Sequence, residues 1–342
     1  MAGHGNKAVV AAMAANGAIA VAKFVGFGLT GSSAMLAEGV HSVADTGNQA
    51  LLLLGGRRAK KTANEEHPFG YGRERYFWSF VVALVLFALG SVFAIYEGIH
   101  KLQHPEAVED PRIAIAILAF AVVAEAFSFR TAIKETRTVK GDATYRQFIR
   151  HAKIPELPVV LLEDLGALIG LLIALAAIIT ADQTGNPDWD AYGTISIGVL
   201  LGIIAIVLVI EMKSLLIGES ASRKQREAIQ AAIEIEPGVK QLIHMRTEHL
   251  GPDELLVCAK VEFDHQFTLP EVAEAVDRVE RNVRENVPEA RVMYLEPDVA
   301  RAHRSSPAVM PHVPTHEVPP DIRERMEAEA RAARQPPLPP SR

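Results

Sequence analysis

Six apolar runs of about 20 residues each lie between residues 8 and 217, and they restrict the fold more than any other feature of the chain. A run of that length crosses the hydrocarbon core of a bilayer as a helix, the one open-chain form that satisfies its own backbone there. Spans are expected at about 8–29, 32–55, 76–100, 113–134, 157–181 and 191–217. Met1 to Phe24 has features of a signal peptide, with Lys7, an apolar stretch and the small Ala18-Ile19-Ala20 step. The apolar pattern continues through Lys23 to Gly28, however, so a retained first span is expected. The chain-wide mean hydropathy of +0.15 hides a division, because residues 219–342 are charged where 1–218 are apolar. The expected organisation is a transmembrane domain over 1–218, a soluble domain over 219–300 and a disordered Pro-rich tail over 301–342, with a short helix from Asp321 to Arg334.

The charges inside these runs carry the functional information. Glu38-Gly-Val-His41-Ser-Val-Ala-Asp45 lies within the second run, and helical spacing places His41 and Asp45 one turn apart with Glu38 on nearly the same stripe. An ionisable group at membrane depth costs roughly 2.5 kcal/mol or more, so such groups face a bundle interior and mark ion or proton paths. The competing reading is a buried His–Asp hydrogen bond that joins two helices. The fifth run carries Glu163 and Asp164, which point about 100° apart on a helix, so that one binds and the other supports it. An imidazole with carboxylates from two helices suits zinc, and also iron, cobalt or manganese. Asn16 and Lys23 in the first run and Glu125 in the fourth are candidates for polar clasps or a proton path. Glu125 in particular needs a partner, such as Lys23 or the metal.

Lys and Arg fix the expected orientation. Arg57, Arg58, Lys60, Lys61, Arg73 and Arg75 fall in the second connection, and Arg137, Lys140, Arg146, Arg150 and Lys153 in the fourth, while the other side is poor in both residues. Both termini are therefore expected in the cytoplasm, with the chain an integral multi-pass protein, of the plasma (inner) membrane if bacterial. Beyond the last span the pattern changes. A helix near 222–236, strands near 240–248 and 254–263, a helix opened by the Thr268-Leu-Pro-Glu271 capping box and a strand from Arg291 to Leu295 give the order αββαβ. The fold class is thus an all-α bundle of six transmembrane helices plus an α+β ferredoxin-like cytoplasmic domain. Cys258 is the sole cysteine, which excludes a disulfide framework or a multi-thiolate site within one chain. No basic cluster interleaved with aromatics marks a nucleic-acid face.

Thr30-Gly-Ser-Ser-Ala-Met-Leu-Ala-Glu-Gly-Val-His41-Ser-Val-Ala-Asp45, His67-Pro-Phe-Gly-Tyr-Gly-Arg-Glu-Arg75 and Asn186-Pro-Asp-Trp-Asp190 together resemble the cation diffusion facilitator family of cation efflux transporters, over roughly residues 7–298. The resemblance implies a tetrahedral site with an i, i+4 ligand pair from each of spans 2 and 5. His41, Asp45 and Asp164 match it, whereas Val160 stands where His or Asp is usual, leaving Glu163 as the substitute fourth ligand. Leu-Leu-Glu163-Asp164 is similar to the mitochondrial zinc branch found in animals. At the family's loop site His67 is flanked by Asn64 and Tyr71 where Asp and His are usual, and Pro68, Gly70 and Gly72 favour a structural loop. Val276 and Tyr294 replace histidines of the soluble domain, so dimerisation without metal is expected there.

These readings imply a secondary transporter that exports a divalent cation, most simply zinc, by proton antiport. It would act as a homodimer in a lipid membrane, with no cofactor beyond the transported ion. Iron, cobalt or manganese export is the alternative within that class. Two readings of other classes are a polytopic membrane metalloenzyme and a non-transporting metal sensor or scaffold. The first lacks a signature such as His-Glu-x-x-His, and the second leaves the intramembrane charges without a role.

Overall fold

A computed structural model describes residues 2–105 and 107–300 of the protein, with side chains from residue 16 onward. The tail expected at 301–342 lies outside these residues. Residues Met1–Asp298 form one compact unit. It begins with two long helices, α1 (Ala2–Thr30) and α2 (Ser33–Arg58). A helical stretch follows from Glu74 to Gln103, formed by α3 (Glu74–Val85), a π-helical segment (Leu86–Val92) and α4 (Phe93–Gln103). Then come α5 (Pro111–Lys140), a short α6 (Tyr145–His151), α7 (Glu156–Thr184) and α8 (Asp188–Ile217). Among the described residues, four stretches are long and apolar enough to cross a membrane: Glu74–Gln103, Pro111–Lys140, Glu156–Thr184 and Asp188–Ile217.

Tight packing between α4 and α8 depends on glycine. A Cβ at Gly98 would lie 2.6 Å from Ile195 Cγ1, and one at Gly198 would lie 2.7 Å from Ile95 Cγ1 and 2.9 Å from the Ile95 nitrogen. Small residues let helix backbones approach where lipid offers no competing hydrophobic force. The α1–α2 turn is made at Gly31, with φ of +64°. Beyond it, Ser32 caps α2 by accepting the Met35 N–H.

A second cap comes from a distant element. The Asp190 carboxylate, in the first turn of α8, is fully buried against the start of α2. Its Oδ2 accepts the Ser33 N–H at 2.8 Å and the Ser33 hydroxyl at 3.1 Å, and its Oδ1 accepts the Ser32 hydroxyl at 2.8 Å. An anion at a helix N-terminus satisfies orphan donors and complements the helix dipole, so one side chain both caps α2 and fixes it to α8.

After Gly218 the chain forms α9 (Arg223–Glu234), β1 (Val239–Gly251), β2 (Glu254–Phe263), α10 (Leu269–Asn286) and β3 (Val292–Pro297). The sheet order is β1-β2-β3, with β1 antiparallel and β3 parallel to the central β2. Leu255, Val257 and Val261 of β2 bury their side chains against Ile229 and Ile233 of α9 and Val279 and Val283 of α10. The Thr268–Glu271 capping box forms with Pro270 in the first turn, as the sequence signature requires. Side-chain pairs join this unit to the helices: Arg75 reaches Asp253 at 3.1 Å, Arg73 pairs with Glu248, and Lys153 with Glu219. His249 is buried beside this junction, and burial, aided by Lys153, holds its pKa below the ordinary histidine value.

Three features depart from the sequence expectations. The π-helical segment breaks the third span without a Gly-Pro or charge signal, because a one-residue change of hydrogen-bond register leaves the hydropathy unchanged. The fourth connection contains α6, opened by a Thr144–Gln147 capping box. Strand β1 continues to Gly251, past its expected end near 248, because its pairing with β2 holds to the turn at Glu254.

The Asp190 cap yields a test. Asp190→Ala should lower stability by about 2–4 kcal/mol through unsatisfied donors at Ser32 and Ser33, read as a lower denaturation midpoint in mixed micelles. Asp190→Asn should lie between the two. An alanine variant as stable as the unmodified protein would show that the cap contributes nothing.

Candidate cation site

The inward stripe of α2 carries Glu38, His41, Ser42, Asp45 and Asn48, all buried except the half-buried Asp45. Their spacings of three and four residues keep them on one side of the helix. Lys23 of α1 is fully buried against this stripe, and its ammonium lies 3.0 Å from Glu38 Oε2 and donates to Ser42 Oγ at 2.7 Å. His41 Nε2 stands 3.5 Å from Asp45 Oδ2. On α7, Glu163 is buried and accepts the Asn48 amide at 2.6 Å, whereas Asp164 turns toward α5 and accepts the Ser128 hydroxyl at 2.8 Å. The two neighbouring carboxylates therefore diverge, as their helical spacing demands.

Several polar atoms of this cluster lack partners. Both ring nitrogens of His41, Asp45 Oδ1, Glu38 Oε1, Asn48 Oδ1 and Gln49 Oε1 are buried and make no hydrogen bond with the protein. Buried polar atoms normally find a partner, and six without one fall in a single stretch of α2. A cavity of about 1070 Å³ opens below them, reaching Gln49, Ser128, Val160 and Asp164 inside and Arg57 and Arg75 at its mouth. Of the α2 residues that line the cavity, Gln49 is the nearest in sequence to the His41–Asp45 pair, one turn past Asp45.

The structure brings the expected residues together unevenly. His41 and Asp45 face each other, while Glu163 and Asp164 are held off by Asn48 and Ser128. Among the described residues no group of three or more His, Cys, Asp or Glu side chains is close enough to hold an ion in this conformation. Glu38 lies in the Lys23 ion pair. Glu125, buried on α5, forms no ion pair with Lys23, whose ammonium is committed to Glu38. Asn16 is half-buried on α1. His67 is exposed in the second connection, where its N–H donates to Asn64 Oδ1 at 2.7 Å and its ring tilts over Tyr71 at 4.5 Å. The residues that sequence reasoning missed are Asn48 and Ser128. Each had a signal, since Asn48 continues the stripe three residues after Asp45 and Ser128 stands three residues after Glu125.

Four apolar helices and a buried cluster of charged side chains define an integral membrane protein. Residues 9–217 match the family model of the cation efflux transmembrane domain, and residues 221–294 match that of the cation efflux protein cytoplasmic domain. The chain belongs to the cation efflux family, a family of transporters and not of enzymes. It is 33% identical over 261 residues to the mitochondrial proton-coupled zinc antiporter SLC30A9 of Mus musculus, an overlap of 75% of this chain and 46% of that protein. It is 31% identical to metal tolerance protein C4 of Arabidopsis thaliana, over 81% of this chain and 61% of that one. With the cation-efflux pump FieF of Serratia proteamaculans it shares 27% identity, over 84% of this chain and 90% of the pump. The chain thus spans about half the length of the animal relatives it matches.

The Lys23–Glu38 pair makes a stability prediction. Lys23→Met leaves a buried carboxylate without its counter-charge and should cost about 3–5 kcal/mol, whereas adding Glu38→Gln should restore most of the loss. A double-mutant cycle on the micellar denaturation midpoint measures this. Additive single effects would mean that the two groups do not depend on each other.

Proposed function

We propose that the protein exports a divalent metal cation, zinc in the first instance, from the cytoplasm in exchange for protons. The observation that carries this reading is the fully buried imidazole of His41, with neither nitrogen in a hydrogen bond and Nε2 3.5 Å from Asp45 Oδ2. One imidazole with carboxylate oxygens is a donor set that zinc accepts readily, while manganese prefers all-oxygen surroundings. The mouse relative is a proton-coupled zinc antiporter, which supports both zinc and proton coupling here.

In this reading His41, Asp45 and Asp164 bind the ion and Glu163 is the fourth ligand. Assembly requires α7 to shift so that Asp164 leaves Ser128 and Glu163 leaves Asn48. Glu38, Lys23, Asn16 and Glu125 form the polar surroundings and proton path. The imidazole must be neutral to bind metal, so metal and proton compete for the same ring nitrogen. Metal arriving from the cytoplasm displaces the proton, and a proton arriving from the opposite side displaces the metal. Alternating access of a site near the midplane then couples the two gradients.

The architecture belonging to this function has six spans, α1 and α2 completing the bundle. It divides into a transmembrane domain over 1–218, a ferredoxin-like dimerisation domain over 219–300 and a tail over 301–342. Both termini lie in the cytoplasm, and the active unit is a homodimer. The order α9-β1-β2-α10-β3 and the cluster of arginines and lysines in the second and fourth connections support this arrangement. His67 contributes no second metal site, because its neighbours Asn64 and Tyr71, which hydrogen-bond each other, replace the carboxylate and imidazole that a site would need.

The decisive experiment is zinc flux in proteoliposomes with an imposed pH gradient. The unmodified protein should move zinc against proton flow, with iron, cobalt and manganese as weaker competitors, and His41→Ala should abolish exchange. Zinc transport that ignores the gradient, with no proton movement, would reject antiport.

A further inference from the structure

On the far side of α5 from the candidate site is a groove of about 690 Å³, lined by Ala126, Phe129, Ile133 and Leu168 together with Arg130, Lys134 and Arg137. The three basic residues recur at i, i+4 and i+7, which puts them on one exposed face of the helix. Among the described residues none of them forms an ion pair, and the one side-chain contact is a 3.4 Å approach of Arg137 Nε to the Tyr145 hydroxyl. The nearest acid in sequence, Glu135, turns the other way and lines the cavity beneath the candidate site.

Depth makes this unusual. α5 has 30 residues and is about 45 Å long, against a hydrocarbon core of about 30 Å. With α5 centred on that core and counted back from Lys140 at about 1.5 Å per residue, Arg137 falls outside the core, Lys134 near its edge and Arg130 several ångströms within it. Lys and Arg at such depth extend their head groups toward the interface, where lipid phosphates lie. Phe129 and Ile133 stand on the same face and leave an apolar channel beside the basic ladder.

We propose that this groove is a binding site for one anionic phospholipid per protomer. Its phosphodiester is held by Lys134 and Arg130, with Arg137 at the head-group rim, and an acyl chain lies along Ala126, Phe129, Ile133 and Leu168. The chemistry favours a lipid over a free phosphate because four apolar side chains line the same groove as the cations. Basic pockets between helices at the cytoplasmic boundary are the general form of such sites.

The test uses the full chain reconstituted in vesicles of equal phosphatidylglycerol and phosphatidylcholine, solubilised mildly, with retained lipid counted by native mass spectrometry. The unmodified protein should retain phosphatidylglycerol over phosphatidylcholine by at least about tenfold, given about 1 kcal/mol for each basic residue near the surface. The triple variant Arg130→Gln, Lys134→Gln, Arg137→Gln should retain both lipids equally. Lys134→Gln alone, an exposed change that leaves packing intact, should reduce the preference by roughly fivefold with an unaltered denaturation midpoint. Equal retention of the two lipids by the unmodified protein would overturn the proposal, as would an unchanged preference in the variants. Displacement of the lipid by millimolar inorganic phosphate would also overturn it, by assigning the site to a soluble anion.

Discussion

A charge at membrane depth has to be met by another group, and that requirement organises the helices of this protein. Lys23 binds α1 to α2 through Glu38 and Ser42, Asn48 binds α2 to α7 through Glu163, and Ser128 binds α5 to α7 through Asp164. Hydrogen bonds between membrane helices each contribute only about 0.6–2 kcal/mol. Their larger effect is on specificity, because each helix has one rotation that brings its polar group to a partner. His41 is the exception within this system: it is buried as deeply as the others, makes no hydrogen bond, and has only Asp45 of its own helix at 3.5 Å.

The two ends of α2 contrast in a way that bears on transport. At its N-terminus, Asp190 holds Ser32 and Ser33 against α8 with buried hydrogen bonds. Toward its C-terminus, Gln49 and Leu53 border the large cavity that reaches Asp164. One end is held by hydrogen bonds and the other borders a cavity, an asymmetry that fits the alternating access of the proposed function. The bonds that separate Glu163 from Asp164 belong to this state, and under the proposed function they exchange for metal contacts when an ion arrives.

Much of this was legible in the sequence, for identifiable reasons. Hydropathy located the long helices because the requirement for apolar surface in lipid is strong and local. The alternation of Leu255, Val257, Ala259 and Val261 located β2 to the residue, because one face of that strand is buried and the other is not. The His41–Asp45 relation followed from i, i+4 geometry alone. The partners of Glu163 and Asp164 did not, since they depend on the rotation of α7 relative to two other helices, a tertiary quantity that no local pattern encodes. The π-helical segment and the capping role of Asp190 were hidden for similar reasons. The first leaves composition unchanged, and the second joins residues 157 apart in sequence.

The central claim is that His41 is the nitrogen ligand of the transported cation, and X-ray absorption at the zinc edge tests it most directly. With one equivalent of zinc bound to the full chain, the account predicts a four-coordinate shell of light atoms at about 2.0–2.1 Å containing one imidazole, whose outer-shell scattering disappears in His41→Ala. An imidazole signal of equal strength in that variant would contradict the account, as would a zinc shell of oxygen alone in the unmodified protein.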